Sequence, residues 1–361
     1  MKNAKKLLSL SLAVLLSTFS LGCKQANAIG TTNINTTTNT QVTSLNNMKI
    51  HYIDVGQGDS ELIQVDGKNI LIDAGCNDSK ALNYLKSQGI SKLDYIIATH
   101  PHEDHIGGMT SVINNFEIGE FYAPKVNHTT KTFENMIKAL QNKGIKLTAP
   151  TIGDTLTIGN ATMQFLAPNG SKYQDLNNYS IVCKLKYGNT SYLFTGDAES
   201  LSEGEILAKQ LDISADVLKL GHHGSHSSTS KTFLDKVNPR YAIVSCGKGN
   251  DYGHPHKETI DKLNAKNINI LRTDVSGTIV STSNGNAISF NVNTSNNTNN
   301  GSTTNTNTPD TKTKSNSVWV ANKTAKVYHT SKECSNMKAP SEISLEDAQS
   351  KGLKPCSKCA N

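Results

Sequence analysis

Residues 99–106 read T-H-P-H-E-D-H-I, which places His100, His102, Asp104 and His105 within six residues. Packed this closely, three protonated imidazoles would repel one another and crowd a core. Neutral imidazole and ionised carboxylate together are what a divalent metal binds, so metal binding is the leading reading. Two later stretches end on the same chemistry. Tyr192-Leu193-Phe194-Thr195-Gly196-Asp197 ends on a carboxylate, and Lys219-Leu220-Gly221-His222-His223-Gly224-Ser225 carries paired histidines.

Positioning such groups requires rigid elements. The apolar run 93–99 suits a buried strand, and Gly107-Gly108 permits a tight exit, so strand, ligand loop and helix should follow in that order. The runs before Asp197 and His222 are also apolar, so three strands are expected to deliver ligands to one edge. Upstream, 48–55, 60–65 and 69–72 alternate apolar and polar residues between glycine-containing turns, the pattern of an antiparallel meander. Helical spacing of apolar residues marks 80–88, 132–143, 201–210 and 257–266, interleaved with strands near 179–186, 191–194, 217–220 and 241–245. The class is mixed α and β, with sheets covered by helices.

The 361 residues allow one large domain and one small one. Lys2, Lys5 and Lys6 precede an apolar run over 7–16, the layout of an export signal and too short for a membrane span. Residues 1–28 are therefore expected to be a signal peptide or lipoprotein signal. Leu21-Gly22-Cys23 resembles a lipoprotein cleavage site and Ala26-Asn27-Ala28 a signal-peptidase site; either outcome makes the protein extracytoplasmic, secreted or a cell-membrane lipoprotein anchored through Cys23. Removing the three leader lysines reduces the formal +6 to 33 basic against 30 acidic residues, so net charge excludes no partner and selects none. The Thr/Asn/Ser-rich stretches 29–47 and 293–317 read as flexible linkers around a domain at 48–292, leaving a tail at 318–361. No multi-span region is present, which argues against a transmembrane channel. Of seven cysteines, Cys76, Cys183 and Cys246 are scattered and read as isolated thiols.

Together with Asp54-Val55-Gly56-Gln57-Gly58-Asp59-Ser60, the three ligand stretches resemble the metallo-β-lactamase superfamily, in particular the hydrolase domains of ComEC-type DNA-internalisation competence proteins. The resemblance implies an α/β (α+β) αββα sandwich and two divalent metals, Zn²⁺ or Mn²⁺. His100 and His102 would hold one metal, Asp104 and His105 the second, and Asp197 would bridge them. His223 is preferred over His222 as the last ligand of the second metal, and one of the pair could orient substrate instead. Asp104, His222 and His256 are the candidate catalytic residues. His256 stands in Tyr252-Gly253-His254-Pro255-His256 and would touch substrate at the rim, ahead of His254; a capped loop before a helix near Lys257 is the alternative. Asp54, Asp59 and Asp73 read as loop ties by hydrogen bonding or as participants in chemistry, and Gly56 and Gly58 as turn residues.

The chain departs from the β-lactamase pattern in one place. Where those enzymes supply a third imidazole to the first metal, this sequence reads Asn177-Asn178-Tyr179-Ser180, and His128 lies too early. A more open first site argues against lactam hydrolysis and for phosphodiesters, because two cations lower the pKa of a water between them and clamp phosphate oxygens.

The tail offers His329, Cys334, Cys356 and Cys359, a donor set for one structural zinc; it resembles small Ada-like zinc-binding modules, and a disulfide is the alternative. Lys332, Lys338, Lys351, Lys354 and Lys358 could favour a phosphate-rich partner or simply be solvated. The expected function is extracellular metal-dependent phosphodiester hydrolysis, as a phosphodiesterase or nuclease acting on DNA. Two alternatives stand beside it: a phosphorylcholine-esterase-like or other phosphoester hydrolase at the cell envelope, and a non-catalytic nucleic-acid-binding surface protein. Oligomeric state is not legible.

Overall fold

Alternation over 48–72 produces the expected meander. β1 (Met48–Tyr52), β2 (Glu61–Val65) and β3 (Lys68–Ile72) pair antiparallel in succession, with Ile50 opposite Ile63 and Leu62 opposite Leu71. In the computed structural model, residues 46–76, 79–294, 317–321, 325–329, 334, 340–344, 348 and 351–356 are described. The leader, Cys23, nearly all of the two linkers and Cys359 lie outside them.

From β3 the sheet continues in parallel through β4 (Lys92–Ile97), β5 (Glu117–Tyr122) and β6 (Leu147–Thr148). Parallel pairing needs crossovers, and these contain helices Lys80–Ser87, Met109–Asn115 and Lys131–Asn142. A second mixed sheet follows. β7 (Thr155–Ile158), β8 (Ala161–Ala167), β9 (Val182–Tyr187) and β10 (Thr190–Phe194) pair antiparallel. β11 (Val217–Lys219), β12 (Tyr241–Val244) and β13 (Asn269–Arg272) then extend it in parallel behind helices Ser200–Ala208, Lys231–Val237 and Lys257–Asn264. Finally β14 (Ile279–Ser283) and β15 (Ile288–Phe290) return to the first sheet, β14 beside β1.

Continuous apolar runs are explained by two-sided burial. Ile97 and Phe194 point into a core shared by both sheets, while their neighbours Ile96 and Leu193 point into separate cores under helices. The first outer core includes Leu85, Val112 and Leu140; the second includes Ile206, Phe233 and Leu263. Each buried side chain of this size contributes about 1.5–3 kcal/mol, so both sheets are locked between helices and each other.

The four helices expected from spacing occur within two residues of the expected ends. The strand expected from 179 begins only at Val182, because Leu176–Tyr179 forms a 3₁₀ turn whose first free N–H, on Asn177, donates to Asp175 Oδ1 at 2.9 Å. The β7–β8 hairpin and the helices Met109–Asn115 and Lys231–Val237 carry no marked period in the sequence reading; tertiary packing decides them. The three ligand-bearing strands also do not share one sheet: β4 belongs to the first, β10 and β11 to the second. Ile181 N donates to Thr99 O at 2.9 Å, which ties the two ligand regions across that divide.

Chain contacts separate Met1–Thr298 from Asn299–Asn361. In the second unit β16 (Ser317–Val320), β17 (Val327–Tyr328), β18 (Ser341–Ser344) and β19 (Lys354–Pro355) form two short pairs, β16 with β18 and β17 with β19. Among the described residues no helix is long and apolar enough to cross a membrane.

Candidate metal centre

Beyond β4 the chain is pinned by a carboxylate: Thr99 N and Oγ1 donate to Asp73 at 2.8 and 2.6 Å. His100 follows, buried, and His102 caps the short helix Glu103–Ile106, which carries Asp104 and His105 inward. The loop after β1 presses on this helix. Asp59 N donates to Asp104 O at 3.1 Å, and a Cβ on Gly58, at φ +138°, would stand 2.3 Å from that same oxygen. Only glycine permits the approach.

After β10, Asp197 is held by donation of its N–H to Ser180 Oγ at 3.0 Å. After β11, His222 and His223 both adopt left-handed backbone, φ 51° and 54°. For non-glycine residues this is sparsely populated and costs on the order of 1–3 kcal/mol each. The turn sends the two rings to different partners. His223 Nε2 lies 3.0 Å from Asp104 Oδ2 and 3.6 Å from Asp197 Oδ2; His222, partly exposed, has Nδ1 3.2 Å from Ser227 Oγ and 3.4 Å from Glu199 Oε1.

Asp104, His105, Asp197 and His223 each offer a donor atom within 4.8 Å of the others. His105 Nε2 and Asp197 Oδ1 are 3.2 Å apart, buried, and without a hydrogen-bond partner. Two buried polar atoms that face each other without a hydrogen bond are costly in a closed protein interior and are satisfied by a shared cation, so the residues fit a divalent metal. On the other side of Asp197, His100 Nε2 is 3.8 Å from its Oδ2 and 3.0 Å from His102 Nδ1. Asp197 thus faces His105 and His223 as well as His100.

Behind the imidazoles stand two of the three loop aspartates. His105 Nδ1 meets Asp73 Oδ2 at 2.7 Å, and His223 Nδ1 donates to Ser245 O at 2.9 Å with Asp59 Oδ1 at 3.1 Å. Acceptors at Nδ1 leave each Nε2 lone pair for the centre, the usual device for orienting metal-ligating histidine. Asp73 therefore hydrogen-bonds both Thr99 and the ligand candidate His105, while Asp59 accepts from Lys219 through Oδ2 and meets His223 as an ion pair. Asp54 ties loops instead, its carboxylate accepting from Gly56 N at 3.0 Å and its N–H donating to Thr278 Oγ1 at 3.0 Å.

The electrostatics are those of a cation site. Burial and the neighbouring His105 hold the His100 pKa well below its ordinary value, keeping that ring neutral. Burial opposes charge on His105 and His223, yet Asp197 and the aspartates behind them raise both, His223 to about 10. Burial likewise opposes ionisation of Asp197, and His105 and His223 overcome it, holding it well below the carboxylate range. The gathered negative charge attracts protons or, in their place, a metal.

A cavity of about 350 Å³ opens over the cluster, walled by Gln57, His102, Asn177, His222, Tyr252 and His254. His254, not His256, lies in this wall, its ring 5.4 Å from His222 and stacked on Tyr252 at 5.6 Å. His256 stands at the N-terminal boundary of helix Lys257–Asn264, and its Nδ1 accepts from His226 N at 3.0 Å. Sequence reasoning gave no site role to Glu199 or Gln57, and placed Asn177 only as the residue standing where a third imidazole was expected. It also passed over Lys219, although a lysine inside the apolar run Val217-Leu218-Lys219-Leu220 is itself a sign of a buried ion pair.

In the second unit, His329, Cys334 and Cys356 offer donors within 4.8 Å of one another. The parallel register of Tyr328 with Pro355 sets His329 beside Cys356. Cys334 Sγ and Cys356 Sγ are 3.9 Å apart, too far for a disulfide.

The sequence model of the Metallo-beta-lactamase superfamily matches residues 53–248. The chain is 32% identical over 251 residues to ComE operon protein 3 of Bacillus subtilis (strain 168), covering 64% of this chain and 32% of that protein. It is 30% identical over 230 residues to Competence protein ComA of Neisseria gonorrhoeae, covering 63% and 31%. The chain spans about a third of the length of these curated relatives. Among solved structures, the metallo-beta-lactamase fold protein YhfI from Bacillus subtilis aligns over 66% of this chain and 99% of that one, at 16% identity and TM-score 0.45.

Proposed function

This chain belongs to the metallo-beta-lactamase superfamily as a metal-dependent hydrolase with a buried His/Asp cluster, and on that premise we propose that it hydrolyses phosphodiesters, with DNA as the substrate. The observation that carries the hydrolytic reading is the pair of orphaned buried atoms, His105 Nε2 and Asp197 Oδ1, inside a ring of imidazoles and carboxylates. The substrate reading draws support from kinship with competence proteins and from the absence of a third imidazole at Asn177.

His100, His102 and Asp197 would hold one cation, and Asp104, His105, Asp197 and His223 the other. Bound there, two divalent ions supply an acidified water near neutral pH and neutralise charge on phosphate oxygens. Asp73 keeps the His105 ring oriented through Nδ1, and Ser245 O, with Asp59 in ion-pair contact beside it, does the same for His223. His222 is fixed through Nδ1 by Ser227 and Glu199, its Nε2 3.9 Å from Asp197 Oδ2 on the cavity wall. From there Nε2 would give its proton to the leaving oxygen as the bond from phosphorus to that oxygen breaks and one to the attacking water oxygen forms. Tyr252, two-thirds exposed at the rim and stacked on His254, offers an aromatic face to a base.

The tail is proposed to hold one structural zinc through His329, Cys334 and Cys356, with Cys359 as the fourth donor, as an Ada-like module. The leader lysines and Cys23 support action outside the cytoplasm, at the membrane if Cys23 is lipidated.

Purified full-length chain with Mn²⁺ or Zn²⁺ is to be offered linear DNA, RNA and a small chromogenic phosphodiester, beside Asp104→Ala and Asp197→Ala variants. DNA loss with the native chain alone sustains the proposal. Turnover of the small ester alone favours an envelope phosphoester hydrolase, and DNA binding without turnover favours a non-catalytic surface protein.

A further inference from the structure

We infer that the side-chain oxygen of Asn177 is a ligand of the first cation, completing the group made by His100, His102 and Asp197; this rests on the two-metal reading above.

The first group is short of donors. Among the described residues, neither His100 nor His102 falls in any cluster of three or more His, Cys, Asp or Glu donors close enough to share an ion. His100 Nε2 reaches His102 Nδ1 at 3.0 Å and Asp197 Oδ2 at 3.8 Å, and Asp197 is shared with the second group. A further donor of another chemistry is needed, and the wall of the cavity holds one. Asn177 lines it together with His102, Asp197 and His222, is only 5% exposed, and its Oδ1 has no hydrogen-bond partner. Buried amide oxygens are nearly always satisfied, so this one points to something that binds there.

The residue is also held as a ligand would be. Asn177 N donates to Asp175 Oδ1 at 2.9 Å, and its amide nitrogen stands 3.5 Å from His222 Nδ1. Ser180, at the end of the same turn, accepts from Asp197 N at 3.0 Å, so the turn carrying Asn177 is tied to the bridging carboxylate. Asn178 Oδ1 accepts from Ser202 N at 3.2 Å, fixing the turn from its other side.

An amide oxygen carries no charge. With two neutral imidazoles, an amide and a shared carboxylate, the first cation would keep most of its positive charge, which favours an anionic phosphate over a neutral amide substrate. Oxygen donors also suit Mn²⁺ better than a third imidazole would. The first site is thus the weaker of the two and the more inclined to Mn²⁺.

The test is metal binding by the full chain, freed of metal by chelation, reloaded with zinc at the tail and titrated with Mn²⁺. Unbound ion is read by electron paramagnetic resonance, and folding by circular dichroism. The native chain should take up two Mn²⁺ with unequal affinities. Asn177→Ala should weaken the looser site by roughly tenfold or more and spare the tighter one. Asn177→Asp, which keeps the oxygen and adds a charge, should tighten the looser site. Native affinities in a folded Asn177→Ala, or an unaltered looser site in Asn177→Asp, overturn the inference. Fewer than two Mn²⁺ on the native chain overturns it together with the two-metal reading. Two-site binding that responds to Asn177 in a chain that leaves DNA intact sustains the ligand and removes only the substrate.

Discussion

Lys219 Nζ donates to Asp59 Oδ2 at 2.6 Å, with both side chains at most 2% exposed. The two residues are 160 positions apart, and their contact joins β11 of the second sheet to the loop after β1 of the first, directly behind His223. Burial opposes ionisation of Asp59, and Lys219 and His223 overcome it. Burial and Asp59 together push Glu61 well above the carboxylate range, so Asp59 holds the charge that Lys219 meets. The pair sets one of the ligand imidazoles, and its loss should be felt both in stability and at the centre.

Replacing Lys219 with Met leaves buried Asp59 with His223 as its remaining partner at 3.1 Å, which should cost up to about 3 kcal/mol. The double change Lys219→Met with Asp59→Asn should recover a large part of it. Urea unfolding of the metal-free variants measures both, and equal stability of the single and double variants would count against this account.

Asp73→Asn keeps the shape behind His105 but removes the carboxylate that fixes its Nδ1 proton at 2.7 Å. Metal affinity of the second site should fall by about 10–100-fold, with the fold retained. Calorimetric titration against the native chain decides it, and an unchanged affinity would show Asp73 to be a loop tie only.

His254→Ala and His256→Ala should separate. His254 lines the cavity, so its loss should lower kcat/KM on a phosphodiester by about tenfold, or ~1.4 kcal/mol. His256 faces His226 and the helix it precedes, so its loss should leave kcat/KM nearly native. The reverse ranking would restore His256 as the substrate contact.

A pH dependence is expected at Lys184 and Asp212, whose Nζ and Oδ2 are 2.7 Å apart. The hydrogen bond from Lys184, helped by Ser214, pulls the Asp212 pKa down to about 2. A depressed carboxylate stabilises the fold above its unfolded value of 3.8, and that contribution is lost as pH falls through about 2. Because the Asp212 side chain is 75% exposed, solvent screening limits the effect to below about 1 kcal/mol. Asp212→Asn should therefore be slightly destabilising at pH 6 and neutral near pH 2, compared by chemical denaturation; a cost that persists in acid would assign it to packing.

In the tail, Cys356→Ser should remove the one chelatable zinc while leaving Mn²⁺ uptake by the hydrolase unit unchanged. Elemental analysis of the desalted variant reads both numbers, and full zinc retention would exclude Cys356 as a donor.

Much of this centre was legible from the chain because its donors are covalent neighbours. His100, His102, Asp104 and His105 fall within six residues, so one loop and one short helix carry all four to the same region. Strand identity was legible where both faces of a strand are buried, since runs such as 192–194 can only be satisfied between two apolar layers. The ends of the four helices with a marked apolar period were legible to within two residues, for that period is local.

What the sequence could not decide depends on residues that meet only when the sheets pack. Which of His222 and His223 faces Asp104 is set by two left-handed residues in one turn. Whether His254 or His256 borders the cavity depends on where the helix from Lys257 docks. The partners of Lys219, His105 and His223 come from other strands, and Asn177 is a site residue only because its turn is bound to Asp197 through Ser180. Donor type and spacing are local properties and were written in the chain; orientation and charge balance arise from long-range burial, and only the tertiary structure decided them.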